Sequence, residues 1–129
     1  MIDTCAYEAP APDQAYAQAP ALRGEFTRLM ALMPDALAGR LAASELREYL
    51  LCRAAVKDRI ALIAVLSEAG RDFAKAATEE AEAAAEALRN HDRQHAVGHD
   101  PESHPARSSA AGESLRPYVR RHYLKWVAK

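Results

Sequence analysis

Apolar positions recur along this chain in steps of three and four residues, and the steps divide it into helices. Leu22, Phe26, Leu29, Met30 and Met33 form one stripe and predict a helix over 20–33. Pro20 suits its first turn, and Pro34 is expected to end it. A short helical turn is expected over 35–42, capped by Asp35 with Leu37 and Leu41 inward. The strongest pattern predicts a helix over about 44–69. Ser44 is its expected N-cap and Glu45 lies in its first turn. Its inward face is read as Leu46, Tyr49, Leu50, Val56, Ile60, Ile63 and Leu66. The run IALIAVL at 60–66 is apolar almost all round, so this half is expected at the centre of a bundle. Gly70 is expected to close the helix in the left-handed conformation.

The next stripe is Phe73, Ala77, Ala81, Ala84, Leu88, His91 and His95, which predicts a helix over about 71–95 with an alanine-lined face. Residues 96–113 read as an internal linker, rich in Gly, Pro and Ser. Leu115, Tyr118, Val119, His122, Tyr123, Trp126 and Val127 then define a final helix over 114–128, with Ser114 as cap and Pro117 in the first turn. Pro10, Pro12 and Pro20 break up the start of the chain, so 1–19 are expected to form a flexible tail from which Tyr7 and Tyr16 could dock onto the body. The expected fold is all-α: a small helical bundle of four main helices in one domain, 20–129, ending in a basic amphipathic helix over 114–129.

Composition adds a thin core. Thirty of the 129 residues are alanine, against three Ile, five Val and two Phe. Alanine buries little area, so an uncovered apolar stripe and self-association, most simply as a homodimer, are expected. The formal net charge is -1, but it is uneven. Residues 1–20 hold three acids and no base, whereas 114–129 hold five bases and no acid. The N-terminus lacks the basic and apolar regions of a secretory leader. Cys5 and Cys52 form no framework, and the longest apolar run is too short to span a bilayer. A cytoplasmic protein with no membrane partner is therefore expected.

Two constellations carry candidate chemistry. His91, His95, His99 and His104 fall within fourteen residues. The i, i+4 pair His91 and His95 could chelate zinc or another divalent metal from one helical face, with His99 as a further ligand. The competing reading is a polar end to the helix. No histidine precedes position 91, and no Glu-x-x-His motif is present, which excludes the common di-iron bundle sites. The second constellation is the C-terminal helix. Arg116, Arg120, Arg121 and Lys125 with Tyr123 and Trp126 could anchor a protein partner or nucleic acid. Alternatively the aromatic stripe packs on the body, and the bases form a solvated face paired with the acidic run at 79–86. A pocket lined by Tyr49, Phe26 and the methionines is a further option without a specific motif. There is no GxSxG elbow, P-loop or GxGxxG, so a non-enzymatic, regulatory interaction protein without cofactor is expected; a metal-binding protein or small enzyme on the histidines is the alternative.

The strings LRGEFTRLMALMP at 22–34, LCRAA at 51–55 and ALRNHDRQH at 87–95 resemble a family of small helical actinobacterial proteins associated with natural-product biosynthesis. That family keeps a closer spacing between LRG and the proline than this chain does. The resemblance implies a cytoplasmic helical bundle in a biosynthetic or regulatory setting, and it carries no catalytic residue.

Overall fold

The computed structural model describes residues 10–67, 70–95 and 114–128. Among them are five α-helices and no strand: α1 (Pro12–Ala15), α2 (Leu22–Leu37), α3 (Ala43–Leu66), α4 (Arg71–His95) and α5 (Arg116–Val127). The fold is all-α. α3 is the central element: it packs most extensively on α4, carries α2 on another flank, and is crossed by α5, which also touches α4 and α1.

The main core joins Leu51, Cys52, Ala54, Ala55 and Val56 of α3, Ala84, Ala85 and Leu88 of α4, and Tyr118, Val119 and Tyr123 of α5. A separate alanine seam, Ala61 and Ala64 against Ala77 and Ala81, holds the far end of the α3–α4 pair. Small side chains let the two backbones approach, but each buries little area. The aromatic side chains of α5 bury roughly 150–250 Å² each, so α5 supplies much of the hydrophobic stabilisation that the seam does not.

Several local expectations change. α2 runs through Pro34 to Leu37 and absorbs the separate turn expected over 35–42. Pro34 stands in the last turn, where the one hydrogen bond it removes would fall on the carbonyl of exposed Met30. Gly39, at φ 72°, provides the left-handed exit. α3 starts one residue before Ser44, and Glu45 Oε1 accepts the Ala42 N–H at 2.9 Å in place of a serine cap. Gly70 has φ 117° but serves α4: its carbonyl accepts the first-turn Ala74 N–H, while α3 already ends at Leu66. The apolar run at 60–66 is not the centre of the bundle. Ile63, Val65 and Leu66 are exposed, because none of the described helices covers the tip of the α3–α4 pair; the centre is the middle of α3.

Residues 1–9 of the expected tail and 96–113 of the expected linker lie outside the described residues, and with them Cys5, Tyr7, His99 and His104. Residues 10–19 pack on the body: Ala15 is fully buried and Tyr16 reaches into α3. No helix among the described residues is long and apolar enough to cross a membrane.

Candidate functional site

The most unusual feature of the interior is a pair of completely buried aspartates, Asp58 on α3 and Asp92 on α4. Each continues the inward register of its helix. Asp58 follows Leu51 and Ala55 by seven and three residues, and Asp92 follows Ala85 and Leu88 by seven and four. A buried carboxylate is costly unless paired and hydrogen-bonded, and both are. Arg116 Nε donates to Asp58 Oδ1. Arg120 donates to both oxygens of Asp58 at 2.8 and 3.0 Å, and the Tyr16 hydroxyl donates to Oδ2. Asp92 accepts a two-pronged pair from Arg47 at 2.9 and 3.1 Å and the Tyr118 hydroxyl at 2.6 Å. Arg47 Nη2 also donates to His122 Nδ1 at 3.1 Å.

Tyr16 and Arg120 both hold their protons tightly here. Burial, and then the Asp58 charge, push the Tyr16 phenol well above its usual range. For Arg120, burial opposes the charge, but the hydrogen bond and the charge of Asp58 outweigh it and hold the guanidinium ionised. Four donors use the acceptor capacity of Asp58, and three occupy Asp92. The acceptor sites of Asp58 are filled and those of Asp92 nearly so, and the donors from α5 fasten that helix to the body.

This placement bears on each residue of the expected C-terminal surface. Arg116 and Arg120 point inward to Asp58 and leave the acidic run at 79–86. Arg121 is buried with its guanidinium 5.8 Å from the Tyr118 ring centre. Tyr123 is buried between the rings of Tyr16 and Trp126, at 5.4 and 5.5 Å. Trp126 is half-buried, and Lys125 is exposed. From the acidic run, Glu82 accepts the Ser114 hydroxyl and the Leu115 N–H, which places a carboxylate at the N-terminus of α5.

The histidines divide. His95 is exposed and His91 is nine-tenths buried, with ring centres 4.3 Å apart. Neither ring nitrogen of His91 makes a hydrogen bond, although Nδ1 stands 3.5 Å from Asp92 Oδ1. Among the described residues no three His, Cys, Asp or Glu side chains form a metal-binding group.

Cys52 is buried beneath α2, where it accepts a hydrogen bond from Arg28 Nη2 at 3.4 Å. Arg28 is also paired with the buried Glu25 at 3.1 Å. Burial pushes the Cys52 thiol up to about 11, against the Arg28 charge. It is therefore a poor nucleophile.

On the opposite side of α3 from α5 lies an open cavity of about 220 Å³, lined by Phe26, Met30 and Met33 of α2 and Tyr49, Arg53 and Val56 of α3. A second cavity of about 160 Å³ continues past Lys57 and Ile60 to Phe73 and Glu80. The chain matches no protein-family model, no curated protein and no solved structure.

Sequence reasoning missed Asp58, Asp92 and Arg47; it anticipated that Tyr16 docks on the body but not its hydrogen bond to Asp58. Their one readable mark was an aspartate on an apolar stripe, at i+3 or i+4 from buried positions. Their partners lie far away in sequence.

Proposed function

We propose that this protein is a non-enzymatic helical interaction module that associates with a second copy of itself through the tip of the α3–α4 pair. The observation that carries this reading is the exposure of large apolar side chains there: Ile63 at 56%, Leu66 at 87% and Phe73 at 51%. Charges of both signs surround them, with Arg71, Asp72, Lys75 and Glu79 exposed on α4. A two-fold interface needs a self-complementary patch, and an apolar centre ringed by both signs meets that condition. The C-terminal helix contributes less than its composition implies, because Arg116 and Arg120 are committed to Asp58. Its remaining outward groups, Lys125 and Trp126, offer a smaller surface for a protein or nucleic-acid partner, and binding to nucleic acid would weaken steeply with salt. A biosynthetic or regulatory setting, implied by the family resemblance, is compatible with such a module.

Native mass spectrometry and light scattering across a concentration series test the reading. A dimer is expected, and Leu66→Glu with Phe73→Glu should give a monomer of unchanged helicity. A wild-type protein that stays monomeric at high concentration would overturn it.

A second reading rests on His91 and His95. Two adjacent imidazoles with the nitrogens of His91 lacking hydrogen bonds fit a partial zinc or nickel chelate. Elemental analysis of untagged protein should then find stoichiometric metal that is lost on His91→Ala, and metal-free protein of unchanged stability would exclude it.

A further inference from the structure

We propose that the cavity between α2 and α3 is a binding site for an apolar monocarboxylate, its hydrocarbon part against Phe26, Met30, Met33 and Val56 and its acid group on Arg53 and Tyr49. The proposal does not rest on self-association: Ile63, Leu66 and Phe73 do not line this cavity.

Size comes first. The cavity is about 220 Å³. An apolar cavity of about 150 Å³ accommodates benzene, so a chain of about eight carbons is the scale that fits. The walls are apolar, and two of them are methionines, whose unbranched side chains adapt to a guest. Phe26 and Met30 stand at the mouth, 45% and 48% exposed. That gives a ligand a way in without opening the core.

Charge then selects the head group. Tyr49 and Arg53 sit one helical turn apart on α3 and both line the cavity. Neither makes a hydrogen bond or ion pair with any of the described residues, whereas Arg28, Arg47, Arg116 and Arg120 are all paired. Lys57 completes the rim but donates to Glu80 at 2.7 Å. The hydrogen bond from Lys57, with the nearby charge of Arg53, holds the Glu80 carboxyl below its usual range. Two cations against one carboxylate leave a single positive charge. A monoanion neutralises it, and the planar fork of a guanidinium matches a carboxylate with two parallel hydrogen bonds. The Tyr49 hydroxyl offers a further donor. A phosphate dianion would be left under-neutralised here, and an uncharged alkane would leave Arg53 unpaired beside an apolar guest.

The test uses octanoate and octan-1-ol as probes, followed by calorimetry and by amide chemical-shift mapping. Octanoate should bind with single-site saturation, shifting the amides of Phe26, Met30, Met33 and Tyr49. Octan-1-ol should bind at least about tenfold more weakly, the scale of one charge-assisted pair. Arg53→Gln should remove that preference, and Met30→Trp should block both probes while circular dichroism stays unchanged. Octanoate that fails to saturate, that binds no better than the alcohol, or that shifts Ile63, Leu66 and Phe73 instead would overturn the proposal. The comparison of acid with alcohol on the unaltered protein decides the question even if a variant does not fold.

Discussion

Arg53 and Asp58 lie five residues apart on α3 and occupy opposite environments. Asp58 is fully buried under α5 and takes hydrogen bonds from three side chains of two other elements. Arg53 lies among methionines and a phenylalanine on the other side, with no hydrogen bond to any described residue. The closed side thus buries a paired charge beside the main core, while the open side leaves Phe26 and Met30 exposed beside an arginine without a hydrogen bond. The difference has a physical basis. A helix docked through charge-assisted bonds has one geometry in which every donor is met, which defines where α5 sits. An apolar cavity constrains shape loosely and leaves room for something else. The first side is closed by a segment of this same chain, while the second opens to solvent.

The largest test of this comparison is Asp58→Ala. It strands Arg116, Arg120 and the Tyr16 hydroxyl in a largely buried site, and removing one member of such a group typically costs about 3–5 kcal/mol. Urea unfolding should show a loss of that size. Replacing the three charged members, with Asp58→Leu, Arg116→Met and Arg120→Leu together, should recover most of it apart from the lost Tyr16 hydrogen bond, because apolar residues of similar volume leave no unmatched charge. A loss that the triple variant fails to recover would mean that α5 needs the charges for more than docking.

Tyr118→Phe is the next smaller break. It takes one donor from Asp92 but leaves the Arg47 pair in place. A hydrogen bond to a charged group contributes about 1.5–3 kcal/mol, so the loss should stay below that of Asp58→Ala. Thermal unfolding of the two variants side by side checks the order.

Alkaline pH attacks the buried core. Burial raises Cys52 from 9.0 to about 11 and Tyr123 from 10.0 to about 12, the latter helped by the charges of Cys52 and Glu25. Both groups hold their proton more tightly folded than unfolded. Their contribution is therefore complete below about pH 9 and is lost as pH rises through the folded values. Stability should fall between roughly pH 9 and 12, and Cys52→Ala should soften the first part of the fall. An unfolding midpoint that stays flat over that range would contradict the burial of these groups.

The helices were largely legible because a helix announces its buried face by period. α4 spans the residues its stripe predicts, and Leu115, Tyr118, Val119 and Tyr123 all turn inward as α5's stripe requires. Periodicity says nothing about what lies opposite. Leu66 and Phe73 continue their stripes to where no other described helix covers them, so a pattern that held for Tyr49, Val56 and Leu88 fails at the tip. The bases of α5 misled for the same reason. Arginine at a polar position reads as solvated unless a carboxylate waits inside, and the carboxylate for Arg116 and Arg120 is 58 and 62 residues away. The group of Phe26, Tyr49 and the methionines was visible as a set of large apolar residues. Its opening to solvent and the unpaired Arg53 beside it belong to the packing.

The smallest effect falls on the open side. Arg53→Ala should change stability by no more than about 0.5 kcal/mol, as expected of a side chain that makes no hydrogen bond and has only the nearby charge of exposed Glu80 to lose. A slight gain is the favoured sign. Arg53 and Lys57 are like charges one turn apart, a pairing that destabilises a helix by about 0.2–0.5 kcal/mol, and alanine is the stronger helix former. The urea midpoint should therefore hold or rise with its slope unchanged, in contrast to the large drop for Asp58→Ala five residues away. A loss comparable to that of Asp58→Ala would show Arg53 to be part of the packed body, and the two sides of α3 would then be equally closed. A neutral or stabilising result would mean that Arg53 is held in an apolar setting at no benefit to the fold, which is the condition under which a side chain is free to serve a ligand.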